Sequence, residues 1–236
     1  MLGRMILSTG SIALALGLAG CASQQEGSTQ VTTAAMQRAM TPAQVIDDLK
    51  AGNARFVTGT GTNQNWLAQA EATAREGQFP KAIVLSCLDS RVPVEIVFDQ
   101  GIGDVFVGRV AGNFENVDLL GSFEFGAKVA GSKAIVVLGH TKCGAVMGAI
   151  DEAKLGNLTE TLGNIQPAVV AAGRESGRKP SSDAAFTQAV VVENVRETVR
   201  DIRRRSPVLA EMERNGELAI VGAWYDLATG RVTWLD

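Results

Sequence analysis

Two short stretches hold nearly all of the metal-type chemistry in this chain: Cys87-Leu88-Asp89-Ser90-Arg91 and, further on, His140-Thr141-Lys142-Cys143. The sequence contains three cysteines and a single histidine. One cysteine, Cys21, belongs to an N-terminal segment, which leaves Cys87 and Cys143 for the folded region. Two thiolates, one imidazole and the Asp89 carboxylate make a four-coordinate set suited to Zn2+, a cation without geometric preference that accepts soft and borderline ligands. A Cys87–Cys143 disulfide is the alternative in an exported protein. It would leave Asp89 and His140 without a purpose, so the short spacing of each cysteine to a metal-type neighbour favours the metal. No Cys-x-x-Cys pair exists to support thiol redox chemistry.

Both stretches sit at the ends of β-branched apolar runs, Ile83-Val84-Leu85 and Ile135-Val136-Val137-Leu138. Those runs predict buried strands over Lys81–Ser86 and Lys133–Leu138. A third strand is expected over Asp104–Val110, and two closing strands over Glu217–Trp224 and Arg231–Leu235, around an Ala228-Thr229-Gly230 turn. Helices are expected over Ala43–Phe56, opened by Thr41-Pro42 as cap and first helical residue, over Trp66–Glu76, over Val117–Val129 and from Ala145 onward. A long helix over Ser181–Arg205 carries Phe186, Val190, Val191, Val195, Val199 and Ile202 on one face. Strands alternating with helices predict an α/β fold, a mainly parallel central sheet flanked by helices. In such sheets ligands gather at the carboxyl ends of strands, where both half-sites fall. Gly101-Ile102-Gly103 precedes a strand instead of following one and lacks a third glycine, so it reads as a turn and not a dinucleotide fingerprint.

The formal net charge of −3 over 236 residues argues against nucleic acid as a partner. Arg203-Arg204-Arg205 falls in the last turn of the long helix, where cations complement the helix dipole. Residues 1–21 read as an export signal: Arg4, an apolar stretch from Met5 to Leu18 that is short for a bilayer span, then Leu18-Ala19-Gly20-Cys21. That ending resembles the lipobox of bacterial lipoproteins, with Cys21 as the lipidation site; an ordinary signal peptide is the alternative. Ala22 in place of Asp carries no common inner-membrane retention signal. The expectation is an exported, periplasmic protein lipid-anchored to a membrane, the outer one favoured. Residues 22–40, rich in Ser, Thr, Gln and Ala, are expected to be a flexible tether, and residues 41–236 the folded domain.

Cys87-x-Asp89-Ser90-Arg91 and His140-x-x-Cys143-Gly144 together resemble the signature of the β-class carbonic anhydrases. The resemblance continues through Val92-Pro93-Val94-Glu95, Asp104-Val105-Phe106-Val107 and Arg109-x-Ala111-Gly112-Asn113, and covers roughly residues 41–236. It implies zinc held by Cys87, His140 and Cys143. Asp89 would take the fourth position in a closed state and swing away to pair with Arg91 in an open one, whose planar fork suits a carboxylate. It also implies reversible hydration of carbon dioxide to bicarbonate and a proton by a zinc-bound hydroxide, favoured at alkaline pH because two thiolates offset the metal charge. Gln78, nine residues before Cys87, would bond a substrate oxygen, and the Gly144 N–H, at the start of a helix, would face an oxyanion. A homodimer or higher even oligomer is implied, with the active site near the dimer interface.

A subset of the family carries a bicarbonate regulatory site with a tryptophan three residues before the first cysteine. Val84 stands there, so regulation of that kind is not expected, although Arg109 matches another part of that site. Two other functions compete. One is hydrolysis of carbon disulfide or carbonyl sulfide on the same scaffold; the other is a non-catalytic zinc-binding lipoprotein, since four-ligand closed zinc is usually structural.

Overall fold

The computed structural model describes residues 27–235. The signal segment and Cys21 lie outside them. Three helices come first, α1 (Ala34–Ala39), α2 (Pro42–Thr58) and α3 (Trp66–Glu76). The start of α2 is fixed by a capping box, in which the Thr41 hydroxyl accepts from the Gln44 N–H and the Gln44 side chain accepts from the Thr41 N–H. It buries Val45, Ile46 and Leu49 and ends at Gly59, whose φ of +68° is the left-handed cap conformation.

Strand β1 (Ala82–Ser86), a short helix α4 (Val94–Val97) and β2 (Val105–Arg109) follow, then α5 (Val117–Glu124), which widens into a π turn over Phe125–Val129. After β3 (Ala134–His140) come α6 (Gly144–Ile150), α7 (Leu158–Gly163), α8 (Gln166–Ser176), α9 (Ala184–Arg205), α10 (Pro207–Arg214), β4 (Ala219–Tyr225) and β5 (Val232–Trp234). The sheet runs β2-β1-β3-β4-β5, with only the β4–β5 pairing antiparallel.

Every residue of β1 and β3 is buried, as expected for central parallel strands covered on both faces. One face packs on α2 and α4 through Val84, Val136, Leu138, Leu49 and Phe98. The other packs on α9 and α10 through Ile83, Leu85, Val137, Val195 and Ile202. Helix α9 approaches the sheet closely because Gly139 and Gly222 carry no side chain: a Cβ on either would lie 2.7 Å from a Val195 methyl. The Arg203–Arg205 run does sit in the last turn of α9. There Arg203 bonds Glu213, Arg204 bonds Asp201, and Arg205 bonds the buried Glu115.

The tether expectation needs correction over residues 27–40. Ser28 forms a parallel bridge with Gln64. The Thr32 N–H and hydroxyl both donate to Asp104 Oδ1, at 3.1 and 2.5 Å. The buried Gln37 amide donates to the carbonyls of Pro80 and Ala130, 2.8 Å each. The segment is therefore a strap fastened across the amino ends of β1 and β2. Its polar residues suggested solvation because they hold the strap through hydrogen bonds and not through apolar packing.

Candidate metal centre

Parallel pairing of β1 with β3 places Ser86 opposite Leu138, so Cys87 and His140 emerge together at the carboxyl end of the sheet. After His140 the chain turns through Lys142, whose φ of +53° lies in the left-handed region. That turn brings Cys143 back as the residue that opens α6. The metal-binding atoms of Cys87, His140 and Cys143 all lie within 4.8 Å of one another. The two sulfurs are 3.9 Å apart and not bonded in a disulfide. All three residues are buried, at 4%, 0% and 1% exposure.

Their electrostatics call for a cation. The Cys143 side chain, with help from the N–H groups of Gly112 and Asp89, pulls the Cys87 thiol below the usual thiol range against the effect of burial. The same contact and burial push the Cys143 thiol up. Two buried thiolates at this separation repel, so the pair keeps one proton unless a cation lies between them. His140 Nδ1 lies 2.9 Å from the Thr141 carbonyl, which assigns the ring proton to Nδ1 and leaves Nε2 as a lone-pair donor. Nε2 is buried and has no hydrogen-bond partner. Two thiols and an orphaned imidazole nitrogen converging in a dry site fit zinc.

Asp89 stands beside this group, with Oδ2 3.9 Å from His140 Nε2. Its carboxylate accepts from Arg91 Nε at 2.9 Å, Nη2 at 2.7 Å and the backbone N–H at 2.9 Å. The Arg91 side chain holds the Asp89 carboxyl well below the usual carboxylate range.

Sequence reasoning left two supports without a role. Arg109, paired in register with Ser86, donates from Nε to the Cys87 carbonyl at 2.9 Å and from Nη2 to the Asp89 carbonyl at 2.6 Å. It fastens the backbone of the first half-site to the neighbouring strand. The Gly112 N–H donates to Cys87 Sγ at 3.3 Å, while its carbonyl accepts from the buried Asn194 amide at 2.8 Å. Gly112 has φ +91°, and a Cβ there would lie 2.5 Å from an Ile165 carbon, so only glycine fits that approach. The Arg109-x-Ala111-Gly112 stretch was the available signal, but its partners come from distant elements.

Gly144 follows Cys143 directly and begins α6, with open space where a Cβ would be. Gln78 is not brought to this centre within one chain. Gln78 precedes the amino end of β1, next to Gly103, whereas Cys87 follows its carboxyl end. At the rise of an extended strand the two ends are roughly 20 Å apart.

Residues 82–232 match the profile of the carbonic anhydrase family. A carbonic anhydrase of Mycolicibacterium smegmatis is 39% identical over 189 residues, covering 78% of this chain and 88% of that protein. Carbonic anhydrase 2 of Mycobacterium tuberculosis is 39% identical over 193 residues, 80% of this chain and 90% of the relative. Among solved structures, the β-carbonic anhydrase CafA of Aspergillus fumigatus superposes with a TM-score of 0.61 at 27% identity, over 71% of this chain and 85% of that one. The chain belongs to the β-class carbonic anhydrases, zinc-dependent lyases.

Proposed function

We propose that this protein hydrates carbon dioxide reversibly to bicarbonate and a proton at zinc held by Cys87, His140 and Cys143, with Asp89 as a gate on the fourth position. The observation that carries the gate is the Asp89 carboxylate, next to the ligand group yet pinned off it by the Arg91 fork. Bound zinc supplies the Lewis acidity that makes water nucleophilic near neutral pH. Arg109 keeps the Cys87–Asp89 backbone in place, so the carboxylate can move while the thiolate stays. His140, the sole histidine, is buried and engaged, and no imidazole shuttle is available. The released proton leaves through Asp89 or directly to water and buffer. A stopped-flow hydration assay, with zinc measured on the same sample, tests this reading. The rate should scale with zinc content, and hydrolysis of carbon disulfide or carbonyl sulfide in its place would overturn it.

The working unit we infer is a homodimer, or a multiple of it, in which Gln78 serves the site of the second protomer. β2 is a sheet edge, and Leu88, Val117, Phe125 and Val129 are exposed apolar residues on the surrounding elements, a composition suited to an interface. Oligomeric relatives are consistent with this, among them two tetrameric β-carbonic anhydrases of Sordaria macrospora, TM-score 0.64 at 23% identity over 72% of this chain. A site shared across the dimer has a distinctive consequence. Gln78→Ala, low in activity alone, and Cys143→Ala, inactive alone, should regain activity when unfolded together and refolded as a mixture. Only the hybrid dimer contains one site with all zinc ligands and a glutamine from across the interface. Additive, unrescued activities would show that Gln78 does not act across the interface, and full activity of Gln78→Ala alone would place it outside the reaction.

The lipobox reading of Cys21 extends the proposal to a lipid-anchored enzyme in the periplasm. No helix among the described residues is long and apolar enough to cross a membrane.

A further inference from the structure

Gln78 lies on the short link between the end of α3 and the start of β1. At one end of the link the Gly77 N–H donates to the Thr73 carbonyl at 2.9 Å. At the other the Lys81 N–H donates to the Asp104 carbonyl, also at 2.9 Å. Gln78 and Phe79 between them make no hydrogen bond among the described residues, and Gln78 is exposed. The nearest tie after Gln78 is the carbonyl of Pro80, which accepts from Gln37 Nε2 and from Ser132 Oγ, each at 2.8 Å.

Both donors are buried. The Gln37 amide nitrogen also donates to the Ala130 carbonyl at 2.8 Å, so both of its partners are acceptors and the orientation of the amide is fixed. Gly131, with φ +86°, makes room for it: a Cβ there would lie 3.0 Å from Gln37 Oε1. Pro80 passes the constraint along the chain. Its ring fixes φ, and it confines the preceding Phe79 to extended conformations. A displacement of the Pro80 carbonyl is therefore carried toward Gln78 and not absorbed between them. Ala130 follows the π turn, whose exposed Phe125 and Val129 lie on the inferred dimer surface. Gln37 thereby sets Gln78 relative to the surface on which the partner packs.

We propose that Gln37, with Ser132, is a positioning residue for carbon dioxide hydration: the strap's glutamine clamps the Pro80 carbonyl and so aims Gln78 at the partner's metal centre. The proposal rests on the reading that Gln78 acts across the dimer. Gln37 itself touches neither metal nor substrate, since Pro80 precedes β1 and the ligand Cys87 follows it. The strap of one protomer then governs turnover at the other protomer's zinc, which gives residues 27–40 a part in the reaction beyond holding the fold together.

The test adds substitutions to the refolded mixture of full-length Gln78→Ala and Cys143→Ala chains. In the one complete site of that hybrid, zinc comes from the Gln78→Ala chain and the glutamine from the Cys143→Ala chain. Gln37→Met keeps the bulk of the side chain and removes the donor. Carried by the Cys143→Ala chain, it should lower the rescued rate roughly tenfold, short of the roughly hundredfold that misplacing a group in a site can bring. Carried by the Gln78→Ala chain, it should lower the rate far less, although the hybrid has the same composition and the same folding burden. Ser132→Ala in the same two placements should show the same asymmetry, and it decides the matter if Gln37→Met chains do not refold. Equal losses in the two placements, or no loss in either, overturn the positioning role and leave the shared site standing. No rescue by the parent pair overturns the shared site and the positioning role with it.

Discussion

Cys143→Ala should purify with the fold intact, without zinc, and without measurable carbon dioxide hydration. The substitution leaves Cys87 Sγ and His140 Nε2 as the only ligand atoms of the buried group. Zinc sites in proteins take at least three protein ligands, and apparent binding energies of structural sites run to about 10–16 kcal/mol. Losing one of three donors should lower affinity by several orders of magnitude, enough to empty the site at ordinary free-metal levels. The fold should survive because β1 and β3 are held by their ladder and by two apolar layers that do not include Cys143. Thermal stability should nevertheless fall, since a ligand bound only by the native state contributes to stability by mass action. The decisive pattern comes from elemental analysis and melting curves read with and without chelator. Wild type should lose zinc and stability on chelation, and the variant should show no further change. Stoichiometric zinc retained by folded Cys143→Ala would mean that the ligand set is wrong.

Much of this centre was legible because its chemistry is local. Cys87 and Asp89, and His140 and Cys143, lie close together in sequence at the ends of apolar runs, and strand burial follows from β-branched patterning alone. Convergence of the two half-sites needed only the rule that ligands gather at carboxyl ends of parallel strands. Non-local relations were not legible. That Arg109 fastens the first half-site depends on β2 lying beside β1 in a specific register, which no spacing reveals. Asn194 reaches Cys87 through Gly112 from a helix more than eighty residues on, and in sequence it is an ordinary polar residue on an otherwise apolar helix face. Gln78 lies nine residues before Cys87, yet the strand between them, Ala82–Ser86, sets the two at opposite ends of the sheet, and which protomer's site the glutamine faces is not written in one chain's spacing. The strap failed for a compositional reason. Thr32 and Gln37 are residues of solvated linkers as readily as of buried hydrogen-bond networks, and only their distant partners, Asp104, Pro80 and Ala130, decide between the two. The sequence also marks no helix at α7, α8 or α10: α8 buries mainly small residues such as Ala168 and Ala172, and α7 and α10 span about two turns, too short for a periodic pattern to stand out.

Arg91→Ala should keep its zinc and lose most of its activity, on the order of a hundredfold, the scale at which misplacing one group in a site is felt. In the native site three donors from Arg91 face the Asp89 carboxylate: Nε, Nη2 and the backbone N–H. Alanine retains the last alone. That single neutral bond reaches Oδ1 and leaves Oδ2, the oxygen nearer His140 Nε2 at 3.9 Å, without its charged partner. A free carboxylate next to a dication will turn toward it, and the fourth position is then occupied by protein. The three zinc ligands are untouched by the change, and Arg109 still fastens the backbone on either side of Leu88, so metal content should match wild type. Arg91→Lys separates charge from geometry. Lysine keeps the positive charge but offers a point donor that cannot bond both oxygens at once, so it should recover little. Asp89→Ala in the Arg91→Ala background should recover more than lysine does, because it removes the group that blocks the position. Zinc-replete Arg91→Ala with near-normal turnover would show that the carboxylate is held off the metal by something other than this arginine, and an Asp89 substitution that fails to relieve the loss would show that Arg91 acts on the substrate and not on a gate.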